Sequence, residues 1–270
     1  MASESGSLQV RDGIALRTRA WSTKTPKGQV ILVHGVAEHS GRWEHVGDFL
    51  ADRGYDVLAY DWRGHGESEG LRAHVETFEH MVDDLDEVMH SVWGGLPMFV
   101  YGHSGGALIA TAHAVSDRDQ PSGFILSAPA LSADIPLPFR LAAKILPKVA
   151  PKLRLKNPID GAHLSRDPAV AEAYFADPLL EPAATAQSGG EILAAMDRTT
   201  AQLHRIRVPV LVVHGAEDQL VPPSASAPLA AVATVRRRLF AGLRHEIHNE
   251  PEQHEVLGEI VDWLDEQASV

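Results

Sequence analysis

The residues whose types and spacing suggest chemistry lie around Ser104, in the sequence Gly-His-Ser-Gly-Gly at positions 102–106. This Gly-x-Ser-x-Gly pattern is typical of a nucleophile elbow, a strained turn that lifts a serine hydroxyl above a sheet between a strand and a helix. An apolar run, Met98–Tyr101, precedes the pattern, and small residues follow it. The five-residue pattern alone is weak evidence, but this context makes Ser104 the candidate nucleophile.

A serine hydroxyl needs a base to take its proton, and the base needs a carboxylate to hold its tautomer. Two carboxylates, Glu217 and Asp218, follow the predicted strand Val210–His214, and we favour Asp218. Two histidines, His245 and His248, follow the next predicted strand. We favour His245 as the base because it comes first after the strand, where it would lie nearest to the edge of the sheet.

A tetrahedral intermediate also needs hydrogen-bond donors for its oxyanion. With this kind of elbow, one donor is the backbone N–H after the nucleophile, here that of Gly105. The second comes from a loop after an earlier strand, and Val36 in the sequence His-Gly-Val is the best placed candidate. A helix that starts at Gly105 would add its N-terminal dipole to this stabilisation.

A metal site does not fit the same histidines. The spacing His245-Glu-Ile-His248 is one residue short of the His-Glu-x-x-His zinc motif, in which both imidazoles share one helix face. The chain has no cysteine, which excludes a thiolate metal site and a disulfide framework. We therefore expect neither a metal nor a cofactor.

The elements that must position these residues follow from the hydropathy pattern. A turn at Arg11-Asp-Gly13 between two apolar segments predicts an antiparallel hairpin. Apolar positions at helical spacing predict helices over 78–92 and 256–264. Continuous apolar runs predict buried parallel strands at Gly28–His34, Asp56–Tyr60, Met98–Tyr101, Phe124–Ser127, Val210–His214 and Arg237–Phe240. Strands that alternate with helices indicate a mostly parallel sheet covered on both faces, with ligands at the carboxyl ends of its strands.

The region 129–188 interrupts this alternation. It is rich in proline and shows no convincing strand. We interpret it as a helical cap inserted into the core, so that residues 1–128 and 189–270 form the first and second parts of one α/β domain.

The cap contains a local reversal of charge. No acidic residue lies between Ile135 and Ile159, whereas six basic residues do. Four of them, at 140, 144, 148 and 152, have a spacing that would place them on one helix face, although Pro147 and Pro151 should interrupt such a helix. Two interpretations are equally open: an interfacial segment on an anionic lipid surface, and a cap helix with a solvated basic face. The six residues are Arg140, Lys144, Lys148, Lys152, Arg154 and Lys156.

Composition limits the class of protein. The 270 residues are 44% hydrophobic, which is enough for one large core, and the formal net charge of −12 argues against nucleic acid as a partner. The first residues lack the basic and apolar regions of a secretory signal, and the apolar runs are too short to span a membrane. We expect a soluble cytoplasmic protein that associates with membranes, if at all, peripherally through the cap.

Five motifs together resemble those of bacterial monoacylglycerol lipases of the α/β-hydrolase superfamily, over nearly the whole chain. They are His-Gly-Val-Ala-Glu-His-Ser-Gly-Arg-Trp at 34–43, Asp-Trp-Arg-Gly-His-Gly-Glu-Ser at 61–68, the elbow at 102–106, His-Gly-Ala-Glu-Asp at 214–218 and His-Glu-Ile-His-Asn-Glu at 245–250. The resemblance implies an α/β-hydrolase fold with a helical cap, or lid. In this family the motif at 61–68 is chiefly structural.

The resemblance also implies an activity and further site residues. Monoacylglycerols, as small amphiphilic esters, would be hydrolysed to glycerol and a fatty acid through an acyl-enzyme on Ser104. Glu38, Arg42 and His248 would lie near the glycerol head group, and the cap would form an apolar tunnel for the acyl chain. A lysophospholipase or small-ester carboxylesterase on the same scaffold, and a ligand-binding homologue without turnover, are the alternatives.

One residue departs from the family pattern. The family usually has Met directly after the nucleophile, where this chain has Gly105. The backbone donor survives this change, but a side chain beside the acyl chain is lost. We expect a looser oxyanion hole and a wider acyl pocket, so that Gly105→Met should raise turnover on medium-chain substrates.

Overall fold

The computed structural model describes residues 3–156 and 159–269. Within these ranges the strands are β1 (Glu4–Gln9), β2 (Ala15–Trp21), β3 (Gly28–Val33), β4 (Tyr55–Tyr60), β5 (Met98–His103), β6 (Gly123–Ser127), β7 (Arg154–Lys156), β8 (Ala183–Thr185), β9 (Val210–Gly215) and β10 (Val235–Phe240). The α-helices are α1 (Glu44–Ala51), α2 (Phe78–Val92), α3 (Gly105–Ala114), α4 (Leu137–Val149), α5 (Pro168–Ala176), α6 (Ala186–Thr200) and α7 (Gln253–Ala268). Short 3-10 helices cover Ser40–Trp43, Gly161–His163, Leu203–Arg205, Pro223–Ala231 and Ile247–Asn249.

Eight strands form the central sheet in the order β1-β2-β4-β3-β5-β6-β9-β10. The predicted hairpin is present: β1 pairs antiparallel with β2, and Gly13 takes the positive φ of 89° in the turn between them. β2 is also antiparallel to β4, and the remaining pairs, from β4 to β10, are parallel. The predicted mostly parallel sheet is confirmed.

Alternate residues of the strands fill two apolar layers, one on each face of the sheet. Ile31 of β3 packs in the layer that contains Leu85 of α2, whereas its neighbour Val30 packs in the layer that contains Leu257 of α7. Burying each such side chain contributes about 1.5–3 kcal/mol. Strands that are buried on both faces therefore need a continuous apolar run, and the helices need one apolar stripe.

The cap differs in part from its prediction. Residues 129–188 were expected to hold no strand, and this is wrong, because β7 and β8 pair antiparallel from Arg154 opposite Thr185 to Lys156 opposite Ala183. Pairs of three residues are too short to leave a recognisable hydropathy pattern. The predicted end of the cap at residue 188 lies inside α6, whose first turn is capped by the Thr185 side chain.

Helix α4 of the cap is largely exposed. None of its described residues is buried, and its apolar side chains include Leu137, 69% exposed, and Val149, 71% exposed. Pro147 was expected to interrupt the helix but lies inside its last turn, whereas Pro151 lies beyond its end. No helix in the described ranges combines the length and the hydropathy that crossing a bilayer requires.

Candidate active site

Ser104 lies in the turn between β5, which ends at His103, and α3, which begins at Gly105. Its backbone has φ 51° and ψ −114°, a strained combination for a residue with a side chain. The turn is so tight that a Cβ on Gly102 would lie 2.5 Å from the carbonyl oxygen of Gly106. The backbone can make this tight turn because glycine at position 102 has no Cβ to clash.

Asp218 and His245 meet at the carboxyl ends of β9 and β10. The Nδ1 atom of His245 lies 2.7 Å from Oδ2 of Asp218. The other carboxylate oxygen accepts the backbone N–H groups of Leu220 and Val221, each at 2.9 Å. These bonds fix the carboxylate, and an Nδ1–H tautomer of His245 that donates to it leaves Nε2 free to accept a proton.

The environment tunes this pair for proton transfer. Burial by itself would raise the pKa of Asp218, but the opposite charge of His245 and hydrogen bonds from His214 and His245 hold this pKa well below the ordinary value. Burial would likewise lower the pKa of His245, yet the charge and hydrogen bond of Asp218 raise it above 6.5. The pair is thus an anion beside an imidazole that readily takes up a proton.

The loop that carries His245 is fixed by the cap. The N–H of Glu246 donates to the carbonyl oxygen of Leu164 at 2.8 Å, and the carboxylate of Glu250 accepts the N–H groups of Arg244, at 2.7 Å, and Arg166, at 3.1 Å. Glu250 is fully buried, so these bonds form away from competing water. One end of the cap therefore helps to orient the histidine.

The side chains of Ser104 and His245 line one cavity of about 240 Å³. The predicted residues Val36, Glu38 and Arg42 line it as well. Residues that the sequence did not single out complete the wall; they are Gly35, His103, Ile159, Leu164, Tyr174, Leu220, Val221 and Glu246. Ile159, Leu164 and Tyr174 come from the cap, and no local sequence signal distinguishes them from other apolar cap residues.

The backbones of Val36 and Gly105, the two candidate oxyanion donors, lie side by side. A Cβ placed on Gly105 would be 3.4 Å from the Val36 nitrogen, and one on Gly35 would be 3.3 Å from Cβ of Ser104. The Gly35 N–H donates to Glu38 at 2.5 Å, which holds this loop in place. Both candidate donor groups are thus close to the serine.

The surroundings of Gly105 contradict one prediction. A Cβ on Gly105 would lie 2.7 Å from Cγ2 of Val36 and 2.9 Å from the Trp62 ring. Both contacts are shorter than van der Waals packing allows, so Val36 and Trp62 fill the space that we expected to be open. The expectation of open space and a wider acyl pocket beside Gly105 is therefore wrong, whereas the looser oxyanion hole stays a prediction. A larger residue at this position would have to move the Val36 and Trp62 side chains.

Glu38, Arg42 and Glu246 form a buried ionic cluster in the wall of the cavity. Arg42 donates to Oε2 of Glu38 at 2.9 Å and to both carboxylate oxygens of Glu246, at 2.7 and 2.8 Å. The Tyr174 ring covers the guanidinium, with its centroid 4.9 Å from Cζ. Glu246 was missed by the sequence analysis, although its position directly after the predicted base is a signal that could have identified it.

His248 is not brought to the cavity. It is fully buried, and its ring stacks on Trp43 at 4.2 Å and lies edge-on to His103 at 4.9 Å. Burial holds its pKa well below the ordinary value, so that the imidazole is neutral. Among the described residues neither of its ring nitrogens has a hydrogen-bond partner. The family resemblance implied a place near the glycerol head group, but His248 does not line the cavity.

The loop at 34–43, which carries Glu38 and Arg42, is held by the motif at 61–68. Asp61 is fully buried and accepts the N–H of Ser40 at 2.7 Å, and the N–H of Trp62 donates to Nε2 of His34 at 2.9 Å. Burial lowers the pKa of His34 to about 3, so this ring stays neutral as an acceptor. The expected structural role of the second motif agrees with these bonds.

The described part of the chain contains no group of three His, Asp or Glu side chains suited to hold a metal ion. The cavity brings together the serine, the Asp218–His245 pair and the neighbouring backbone N–H groups. Such a set can transfer an acyl group through a covalent serine intermediate.

Comparisons with known proteins agree with this arrangement. Residues 24–252 match the family Hydrolase_4, described as serine aminopeptidase, S33. The chain is 37% identical to the monoacylglycerol lipase of Mycolicibacterium smegmatis, with 93% of each protein covered, and 34% identical to the monoglyceride lipase of Homo sapiens, with 96% of this chain and 89% of that protein covered. The crystal structure of Paleococcus ferrophilus monoacylglycerol lipase superposes with a TM-score of 0.86 at 33% identity, over 93% of this chain and 99% of that one. The chain belongs to the monoacylglycerol lipase family of α/β-hydrolases.

Proposed function

We propose that the protein hydrolyses monoacylglycerols to glycerol and a fatty acid, with Ser104 as nucleophile, His245 as base and Asp218 as its carboxylate partner. The observation that carries the proposal is that one cavity is lined by the serine of a strained elbow and by an imidazole 2.7 Å from a buried carboxylate. The family membership of the chain supports the same substrate class.

Acylation begins when Oγ of Ser104 attacks the ester carbonyl carbon and its proton passes to Nε2 of His245. The carbonyl oxygen becomes an oxyanion, which accepts the N–H groups of Val36 and Gly105. Collapse of this intermediate breaks the bond to the glycerol oxygen, which takes the proton from His245 and leaves as glycerol. The fatty acyl group remains as an ester of Ser104.

Deacylation repeats these steps with water. Nε2 of His245 takes one proton from a water molecule as its oxygen attacks the acyl carbon. The same two N–H groups stabilise the second oxyanion. Collapse returns the proton to Ser104 and releases the fatty acid.

Two sets of residues in the cavity wall suit the two parts of the substrate. Glu38 and Arg42 supply polar atoms for glycerol hydroxyls, and Ile159, Leu164 and Leu220 supply an apolar wall for the acyl chain. The sequence-based role of His248 in glycerol recognition would have to act through Trp43 or His103, because His248 does not line the cavity.

The test is steady-state release of glycerol from monoolein by wild type and Ser104→Ala, together with labelling by a serine-reactive phosphonate. An enzyme is labelled at Ser104 and produces glycerol over many turnovers, and the variant does neither. Labelling without sustained turnover would instead identify a ligand-binding homologue. Rates on a diacylglycerol and a triacylglycerol with the same acyl chain would define the substrate class.

We further propose that the cap rests on an anionic lipid surface. The exposed side chains of α4 support this proposal, because Phe139 (67% exposed) and Ile145 (56% exposed) lie among basic residues such as Lys144. A merely solvated basic face would not require large apolar side chains in water. Partitioning onto vesicles, with and without anionic lipid, distinguishes the two interpretations.

A further inference from the structure

The polar part of the cavity wall contains one cation and two carboxylates. The side chains of Glu38, Arg42 and Glu246 are 4%, 10% and 3% exposed. Arg42 directs one terminal nitrogen to both carboxylates and the other to Glu246, so that the pair Arg42–Glu246 is bidentate. The guanidinium fork that would grip an anionic ligand is therefore already occupied by the protein itself.

The charge of this cluster is zero or negative. Burial would raise the pKa of Glu246, but the charge and hydrogen bonds of Arg42 hold it at about 2, so Glu246 is an anion at neutral pH. Burial, opposed by Arg42 and assisted by Glu246, raises the pKa of Glu38. The cluster carries −1 when Glu38 is ionised and 0 when it is protonated, and it has no excess positive charge in either state.

A phosphate beside this cluster would meet carboxylates rather than a free cation. Like charges placed together in a buried site repel each other strongly, whereas the hydroxyl groups of neutral glycerol can donate to the same carboxylate oxygens. The Tyr174 ring also covers one face of the guanidinium, which limits its movement toward a ligand.

We propose that Glu246 is a specificity-determining residue that neutralises Arg42 and thereby excludes substrates with anionic head groups, such as lysophosphatidates. The inference rests on the proposed function, since it concerns how the same cavity receives the head group of the substrate. It also gives a physical reason to prefer a neutral monoacylglycerol over a lysophospholipid as the substrate.

The test compares two substrates that share the acyl chain and the ester: 1-oleoylglycerol and 1-oleoylglycerol 3-phosphate. The quantity measured is the ratio of kcat/KM for the phosphate ester to kcat/KM for the neutral ester, in mixed micelles of one detergent. The proteins are wild type, Glu246→Gln, Glu246→Asp and, as a control for net charge, Glu255→Gln, which alters an exposed acid on α7. The cap is identical in all four, so its attraction for anionic lipid cancels between them.

We expect wild type to favour the neutral ester, and the ratio to rise at least about tenfold in Glu246→Gln because one compensating charge beside Arg42 is lost. Glu246→Asp keeps the charge and should keep the wild-type ratio even if its activity falls. Glu255→Gln should leave the ratio unchanged.

Two results would overturn the inference alone: a wild type that hydrolyses both esters equally well, or a Glu246→Gln variant that loses activity on both esters in equal proportion. A purely structural role of Glu246 gives the second result, with Gln and Asp behaving alike. A wild type that releases no glycerol from 1-oleoylglycerol would overturn the proposed function, and the inference with it.

Discussion

The loop at 244–250, which carries His245, and helix α4 of the cap differ in which side chains they bury. His245, Glu246, His248 and Glu250 are all buried although they are polar, whereas α4 buries none of its residues although many are apolar. Most polar groups of the loop are compensated by protein partners, including the hydrogen bonds to Asp218, Arg42 and Arg166. The large apolar side chains of α4 at Leu137, Phe139, Ile145 and Val149, in contrast, are more than half exposed.

This difference indicates where each region obtains its stability. The loop is held by internal hydrogen bonds and ion pairs, which preorganise it for chemistry. Helix α4 would gain about 1.5–3 kcal/mol for each large apolar side chain that an external surface buried fully. The loop therefore has the properties of a rigid site, and α4 has the exposed apolar side chains on which we propose a docking surface for lipid.

The largest expected effect follows from changes in the rigid region. Ser104→Ala and His245→Ala should each reduce kcat/KM on monoolein at least about ten-thousandfold, because the nucleophile or its base is lost. Neither change should alter partitioning onto vesicles, which we assign to the cap. His248→Ala is the control for the choice of base, and a loss as severe as that of His245→Ala would show that this choice is wrong.

A smaller effect is expected from overpacking the oxyanion loop. Gly105→Met should lower kcat on a short-chain ester by about tenfold to a hundredfold, because the new side chain would press on Cγ2 of Val36, the residue whose backbone N–H is one of the proposed donors. The double variant Val36→Ala with Gly105→Met should recover part of this loss, since it removes the contact at Cγ2. A higher turnover in Gly105→Met alone would favour the sequence-based expectation over the structural one.

The docking surface should respond to charge rather than to catalytic changes. Lys144→Glu should weaken binding to anionic vesicles by roughly fivefold to tenfold at low salt, since a basic residue near such a surface contributes about 1 kcal/mol and reversal adds repulsion. The effect should fade as salt is raised. Lys24→Glu, at an exposed position outside the cap, is the matched control. Equal vesicle binding by Lys144→Glu and wild type would contradict the lipid-surface proposal and support the interpretation of α4 as a cap helix with a solvated basic face.

The smallest effect concerns the pH profile. Asp218 raises the pKa of His245 despite its burial, and the imidazole must be neutral to take the serine proton. Activity should therefore be lost as pH falls through this raised pKa, so that the acidic limb of kcat/KM has its midpoint above 6.5. Lys144→Glu should leave the midpoint in place. A wild-type midpoint at or below 6.5 would mean that Asp218 does not raise the pKa of the acting base.

Several features of the site were accessible from the sequence because they depend on local backbone requirements. The turn at Ser104 needs glycine on both sides, and this need leaves a readable pattern. Asp218 and His245 could be predicted because each lies in the loop after a strand of a parallel sheet, and the carboxyl ends of such strands meet at one edge. The structure brings these two side chains within hydrogen-bond distance.

Other features depended on contacts between distant segments. Gly105 suggested open space, but Val36 and Trp62 fill that space from loops about 70 and 40 positions earlier in the chain. His248 and Glu246 stand two positions apart in one loop, yet Glu246 faces the cavity and His248 lies behind it. Loop residues lack the fixed period of a helix or strand, so their spacing does not indicate which way they face.

The main strands of the central sheet, the elbow and the proposed chain of serine, carboxylate and histidine were thus contained in the linear pattern, because each depends on residue type and on near neighbours. The tertiary fold decided the net charge of the cluster of Glu38, Arg42 and Glu246, the packing around Gly105 and the exposure of α4. The physical reason is that net charge, free volume and burial at a site are sums over residues that only folding brings together.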